Sequence, residues 1–404
     1  MPPIALSSPA KPLDIAALPR APIHGLYIHI PFCFHKCHYC DFYSITRQTP
    51  DRMDRFVDLL LAEAAQWQQH RPPDLLRPQT IFFGGGTPSL LPLDSMSRLL
   101  TELPRRFNLS DINEWTVEVN PATASLEYCQ MLKSHGVTRI SMGAQSFNPA
   151  ELSTLERHHN PDDVPRSINL ARQSGFDRLN VDLIYAVPGQ THSTWSDSVD
   201  RALALNIAHL SCYALTYEPN TPMAVKKRLG VIRATDDDTE LEMMRRTRAR
   251  LTAAGLPPYE ISNYSSPGQE CRHNLMYWTG GNYLGLGPSA ASHLEGWRWK
   301  NRPHLGEWER SVSSDNLPAT DVESLTPLQR AGELAMLMLR LTTGLNFSAF
   351  STRTGYDPQN LFAPVLERLA KTGLIHVDKD AIRLSDSGIA VADAISAEFL
   401  DPKN

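Results

Sequence analysis

Apolar and polar positions run in two rhythms along this chain. Short apolar or alternating runs at 25–30, 79–83, 115–119, 139–142, 178–184 and 209–214 predict strands. Between them apolar residues recur at helical spacing, as in Phe56, Leu59, Leu60, Ala64 and Trp67. They predict helices over 51–70, 94–107, 125–135, 151–156, 165–174 and 194–205, with Gly136 and Gly175 as stops. Strands alternating with helices argue an α/β fold with a parallel sheet and helices outside it. Six units rather than eight argue a partial (β/α)6 barrel of the TIM type, open on one side, over 25–222. Each strand ends in glycine, proline or a polar residue, at the end where parallel α/β folds bind ligands.

After Thr221 the rhythm changes. A helix is expected over 236–254, stopped by Gly255, and then a glycine- and aromatic-rich stretch. Residues 223–300 are expected to cap the open side of the barrel, and polar 301–326 to be a linker. Helices over 328–341, 358–372 and 388–399, with a hairpin at 374–377 and 382–384, predict a small winged-helix-like α+β domain over 327–404. Residues 1–24 are rich in Pro and Ala, lack a secretory-signal pattern and are expected to form a loose leader.

Composition narrows the partners. The chain has 404 residues, 42% hydrophobic and 21% charged, in the ordinary range for a soluble globular protein. A net charge of -5 argues against a general nucleic-acid or anionic-membrane surface. Residues 325–404 hold eight Lys plus Arg against nine Asp plus Glu, so the winged-helix-like unit reads as a lid or docking surface, not a phosphate binder. No apolar run approaches the roughly 18 residues of a membrane span. Six cysteines in a chain this long are no disulfide framework, and their clustering fits a reducing compartment, so cytoplasm is expected.

The chemistry concentrates at Cys33, Cys37 and Cys40, spaced C-x3-C-x2-C just after the first strand. Three thiolates on one loop can converge on a soft metal centre. Structural zinc wants four ligands, and His35 and His38 are expected to point elsewhere on so tight a loop. Iron–sulfur clusters take thiolates by preference. Three ligands on a four-iron cluster leave one iron open.

With Tyr39 inside it, this triplet resembles the radical S-adenosylmethionine superfamily. The resemblance implies a [4Fe–4S] cluster held by the three cysteines, S-adenosylmethionine chelated to the open iron, and an electron donor. Reduction would release a 5′-deoxyadenosyl radical. Gly84-Gly85-Gly86-Thr87-Pro88 follows the second strand. By itself it is a common turn, or a place where backbone approaches a ligand closely. By resemblance Gly85, Gly86 and Thr87 hold the methionine amino group. Glu118, Gln145, Arg157 and Asp182 lie at or beyond strand ends, where each alone would be an ordinary surface group. The resemblance places all four, with Tyr27, Tyr39 and Ala214, on cofactor-binding positions.

The motifs taken in order resemble the HemN/HemW family over about residues 25–400: oxygen-independent coproporphyrinogen III oxidases and their haem-chaperone relatives. The oxidases carry a fourth cysteine where this chain has Phe42, and an extension before strand one where it has 24 residues. His273-Asn274-Leu275-Met276-Tyr277-Trp278 matches an H-N-x-x-Y-W signature of the HemW branch. That branch implies haem and haem-accepting proteins as partners. Radical decarboxylation of coproporphyrinogen III is the alternative, and a cluster-bearing winged-helix regulator a third reading. His273 is then a candidate axial ligand, or a hydrogen-bonded histidine of the cap. Tyr277, Trp278 and Tyr283 would line a flat porphyrin face, or be ordinary core. Cys129 and Cys212 read as buried and inert, and Cys271 as a weaker thiolate candidate.

Overall fold

The computed structural model describes residues 13–400. Six parallel strands come first: β1 (Gly25–Ile30), β2 (Thr80–Gly85), β3 (Glu114–Val119), β4 (Arg139–Gln145), β5 (Arg178–Tyr185) and β6 (His209–Ala214). Then follow β7 (Asn263–Ser265), β8 (Tyr283–Leu286), β9 (Ala291–Leu294), β10 (Trp297–Asn301) and β11 (Ala319–Ser324). All eleven form one sheet in the order β11-β10-β9-β8-β1-β2-β3-β4-β5-β6-β7.

Alternation along the strands separates two environments. Ile28, Ile81, Phe83, Val117, Ile140, Val181 and Leu210 are fully buried under the surrounding helices. Helix Pro50–His70 supplies Phe56, Val57, Leu60, Ala64 and Trp67 to that layer. The alternate positions hold His29, Glu118, Ser141, Asn180, Asp182 and Ser211, so the inside of the barrel is polar. The apolar core therefore lies between sheet and helices, and the lumen is left to a ligand.

Three regions differ from expectation. Within the region 223–300 expected as a cap, the later part adds strands to the sheet: β7 joins β6 antiparallel at one sheet edge, and β8 joins β1 in parallel at the other. Each of these strands is only three to five residues long, which hid them. Residues 301–326 are not a linker, because they contain helix Leu305–Ser313 and β11. They read as polar because β11 is the sheet's edge and largely exposed. Residues 1–12 of the expected leader lie outside the described residues. From there on the chain is packed: Ile23 is 2% exposed, and the Arg71 guanidinium donates to the carbonyls of Pro19 and Ala21.

Glu63 fastens the added strands to the barrel. Its fully buried carboxylate accepts from Gly287 N (2.9 Å), Trp308 Nε1 (2.9 Å) and Asn301 Nδ2 (2.6 Å).

The C-terminal unit runs helix Pro327–Met338, β12 (Leu345–Asn346), helices Phe347–Thr354, Pro358–Leu361 and Ala363–Lys371, then β13 (Ile375–Val377) and β14 (Ala381–Leu384). Its sheet order is β12-β14-β13. A helix, a strand, further helices and a two-stranded wing are a winged-helix-like arrangement, with its own core of Leu334, Phe350, Phe362, Ile382 and Phe399. The single helix expected over 358–372 is two, broken at Phe362 (φ -111, ψ 17).

Candidate functional site

Pro31 ends β1, and the cysteine loop is pinned at its base. Cys33 N donates to Ile45 O at 3.0 Å, and Ile45 N to Pro31 O at 2.7 Å. All three thiols are free and partly exposed. Their Sγ atoms do not gather within 4.8 Å of one another, as thiolates around one zinc ion would. Thiolates on separate irons of one cluster stand wider apart. Burial pushes the Cys33 thiol up and that of Cys40 up to about 11. A cationic centre would relieve that cost. Thr87 Oγ1 donates to Cys33 Sγ at 3.7 Å, and the Arg157 guanidinium lies 3.8 Å from Cys37 Sγ.

The glycine turn is moulded on β1. Gly85 has φ +103, and a Cβ there would fall 2.5 Å from the His29 ring. A Cβ on Gly86 would fall 2.7 Å from the carbonyls of Ile30 and Phe32. The turn is held by Gly86 N to Ile30 O (2.8 Å) and Thr87 N to Phe32 O (2.7 Å). It thus leans directly on the segment that enters the cysteine loop.

The strand ends supply the polar groups. Glu118 lies over Gly84, where a Cβ would stand 3.1 Å from its carboxyl, and accepts from Gly85 N. Burial, with the Asp182 charge, pushes its carboxyl up to about 8. Asp182 is also raised by burial, and accepts from Asn180 Nδ2 (2.7 Å) and Ser141 Oγ (3.3 Å). Gln145 is in the left-handed region (φ 66), at a bulge between β4 and β5. Its side chain folds over Gly143, where a Cβ would fall 2.7 Å from Nε2 and 3.2 Å from the Arg157 guanidinium. Arg157 donates to Gly143 O, and its buried Nε has no partner. Tyr27 OH lies 3.1 Å from His29 Nδ1 inside the barrel. Burial raises Tyr27 and Tyr39, and Tyr39 sits within the field of Arg157 and Cys37. Ala214 closes β6 beside Tyr185.

These residues fit a [4Fe–4S] cluster and S-adenosylmethionine. Three free thiols share one loop, an arginine has donor capacity to spare, and the buried carboxyls of Glu118 and Asp182 could meet ribose hydroxyls. Sequence reasoning missed the residues that aim Asp182. Asn180 Nδ2 donates to Ser141 Oγ (2.8 Å), and Asn180 Oδ1 accepts from Ser211 Oγ (3.3 Å). His209 Nδ1 lies 2.6 Å from that same Oδ1. The signal was present: polar residues at alternate positions of otherwise apolar strands.

The haem candidates sit elsewhere. Helix Arg272–Trp278 plugs the opposite end of the barrel, where β1 and β2 begin. Its first amides, Arg272 N and His273 N, donate to buried Glu114 at 3.2 and 3.0 Å, which suits a carboxylate at a helix N-terminus. His273, read as an axial ligand or as a hydrogen-bonded histidine of the cap, is hydrogen-bonded on both ring nitrogens. His273 is 1% exposed, and its nitrogens lie 2.8 Å from Thr80 Oγ1 and 2.9 Å from Tyr277 OH. The three aromatics read as a porphyrin face or as ordinary core do not lie in one plane. Tyr277 and Tyr283 pack edge to face at 4.6 Å, and Trp278 turns to Arg340 of the C-terminal unit at 5.0 Å. Burial pushes the Cys271 thiol up to about 12, and it donates to Glu114. Cys129 and Cys212 are buried in the core, as read from the sequence.

Comparison with known proteins agrees with this geometry. Residues 27–202 match the model of the Radical SAM superfamily, and residues 325–391 that of the HemN C-terminal domain. The chain is 34% identical over 378 residues to a heme chaperone HemW of Bacillus subtilis, covering 93% of this chain and 98% of the relative. It is 34% identical over 399 residues to a heme chaperone HemW of Mycobacterium tuberculosis, covering 97% and 98%. It is 38% identical over 274 residues to that of Escherichia coli, covering 67% and 70%. Among solved structures, the coproporphyrinogen III oxidase HemN of Escherichia coli superposes with a TM-score of 0.82 over 96% of this chain and 92% of its own, at 24% identity. That likeness shows the fold. Membership of the radical SAM superfamily brings a [4Fe–4S] cluster and S-adenosylmethionine as cofactors. The chain belongs to the HemW family of heme chaperones within that superfamily.

Proposed function

We propose that this chain binds haem and passes it to acceptor proteins, with a [4Fe–4S] cluster and S-adenosylmethionine held at the top of the barrel. The similarity to HemW chaperones over nearly the whole length of both chains carries this reading. Phe42 supports it: the residue is 62% exposed and leaves the loop with three cysteines only.

Cys33, Cys37 and Cys40 hold the cluster. Gly85, Gly86 and Thr87 offer backbone and hydroxyl groups beside it. Arg157 faces the methionine carboxylate, while Glu118 and Asp182 receive hydroxyls of the nucleoside, with Gln145, Tyr27, Tyr39 and Ala214 around them. The cofactor pair, when bound, supplies reductive cleavage of the sulfonium bond by way of an electron donor. A reducing, cytoplasmic setting suits free thiols at this loop. Among the described residues no helix is long and apolar enough to cross a membrane.

The test is haem transfer. Cluster-loaded chain carrying haem should lose it to an apo-haemoprotein faster than free buffer equilibration allows, and should form no protoporphyrinogen from coproporphyrinogen III under anaerobic conditions. Turnover of coproporphyrinogen would instead assign the chain to the oxidases.

A further inference from the structure

We propose that the outer face of the cysteine loop carries a second metal site, for a single divalent ion of the zinc class, formed by His35, Glu156 and His158. This site is separate from the cluster, and it goes beyond the haem-chaperone reading.

One ligand atom from each of these three residues lies within 4.8 Å of the other two, the only such three-residue group among the described residues. His35 Nε2 stands 3.4 Å from Glu156 Oε2. Ligands at about 2.0–2.1 Å from a tetrahedral ion are separated by roughly that distance. His35 Nε2 is also buried without a hydrogen-bond partner, so a lone pair is available. The His35 and His158 rings meet edge to face with centroids 4.5 Å apart, bringing two imidazoles to one carboxylate. Two imidazoles and a carboxylate suit zinc and its first-row neighbours, with the last position left to water.

The arrangement does not suit haem. A porphyrin leaves its iron two axial positions on opposite faces, so three converging ligands would be crowded onto one side. A free ion wants them converging. Nor does His38 complete the set. Its Nδ1 is 3.6 Å from Glu156 Oε1 but only 3.0 Å from Lys226 Nζ, so the ammonium already occupies it.

The position gives the ion a consequence. His35 lies between Cys33 and Cys37, and Glu156 and His158 flank Arg157, which touches Cys37 and Gly143. An ion here would tie the cluster loop to the segment that carries the arginine, and would hold both while cofactor comes and goes.

The test uses the full chain with its cluster reconstituted, because bare thiolates would take zinc themselves. After anaerobic equilibration with micromolar zinc and desalting, the wild type should retain about one zinc per chain beside its cluster iron. Removing partners outside the ligand shell typically costs 10–100-fold in metal affinity, so losing a ligand should cost at least tenfold. Glu156→Gln and His158→Asn should each weaken zinc retention by that much while iron content and far-UV circular dichroism stay unchanged. His35→Asn serves as a third variant if either of these fails to fold. Absence of retained zinc in the wild type, or retention unaltered in the variants, would overturn the proposal. So would variants that keep zinc but lose a haem Soret band, which would make these imidazoles haem ligands.

Discussion

His273 Nδ1 lies 2.8 Å from the hydroxyl of Thr80, at the end of the barrel opposite the cysteine loop. The histidine of the H-N-x-x-Y-W stretch is therefore a fastener. Burial drives its ring down to about 3, so it is neutral and bonded on both sides. His273→Ala would leave two buried hydroxyls without their partner and a hole beside Gly25. The expected cost is about 2–5 kcal/mol of stability, seen in denaturant unfolding. Haem stoichiometry of the variant that remains folded should stay unchanged.

Arg157 should separate cofactor binding from cluster binding. Charge-assisted hydrogen bonds are worth about 1.5–3 kcal/mol, or roughly tenfold to a hundredfold in affinity. Arg157→Ala should weaken S-adenosylmethionine binding by that factor in equilibrium dialysis while most cluster iron is kept. Cys33→Ala should lose the cluster itself, with its iron content and its broad visible absorbance.

Two buried carboxyls, Glu118 in the lumen and Glu63 in the core, make the ligand-free chain sensitive to alkali. Glu118 is held up to about 8 by burial and the nearby Asp182, and Glu63 up to about 7 by burial. A folded carboxyl that keeps its proton above the unfolded range stabilises fully below that range, and loses the contribution as pH rises through its folded value. Stability should therefore fall between about pH 5 and 8. Glu118→Gln should flatten that fall by about 2–4 kcal/mol, the lumen's access to water keeping it below the full linkage value. A slope identical to wild type in pH-resolved thermal unfolding would contradict this.

Glu63 offers a stability test far from the cofactors. Glu63→Ala would strand the amide of Gly287, the Trp308 indole and the Asn301 amide in a dry core. The expected loss is roughly 3–5 kcal/mol, with cluster content unaffected in the folded fraction.

The six β–α units were legible because each strand keeps an apolar residue at every second position, facing the helices, and the helices keep a regular period. The C-x3-C-x2-C loop was legible from spacing, and Glu118 and Gln145 from their places at strand ends, whereas Asp182 lies inside β5. The strands β7–β11 were not. β7 to β10 are short, β7 and β8 pair with β6 and β1 across long stretches of chain, and β11 is polar because it is an edge. Asn180, Ser141 and Ser211 were overlooked because each is ordinary alone, and only the fold brings them onto Asp182. His273 was open between two readings for the same reason: a motif shows that a residue matters, but not whether it faces a ligand or the core. His35 and Glu156 are distant in sequence, and only the cysteine loop's return toward the end of β4 makes them neighbours.

The most direct measurement of the central claim is an anaerobic haem titration of the cluster-loaded chain, with and without S-adenosylmethionine. The account predicts a saturable, shifted Soret band at about one haem per chain, with no conversion of coproporphyrinogen III in the same sample. A Soret band indistinguishable from free haem, or formation of protoporphyrinogen, would contradict it.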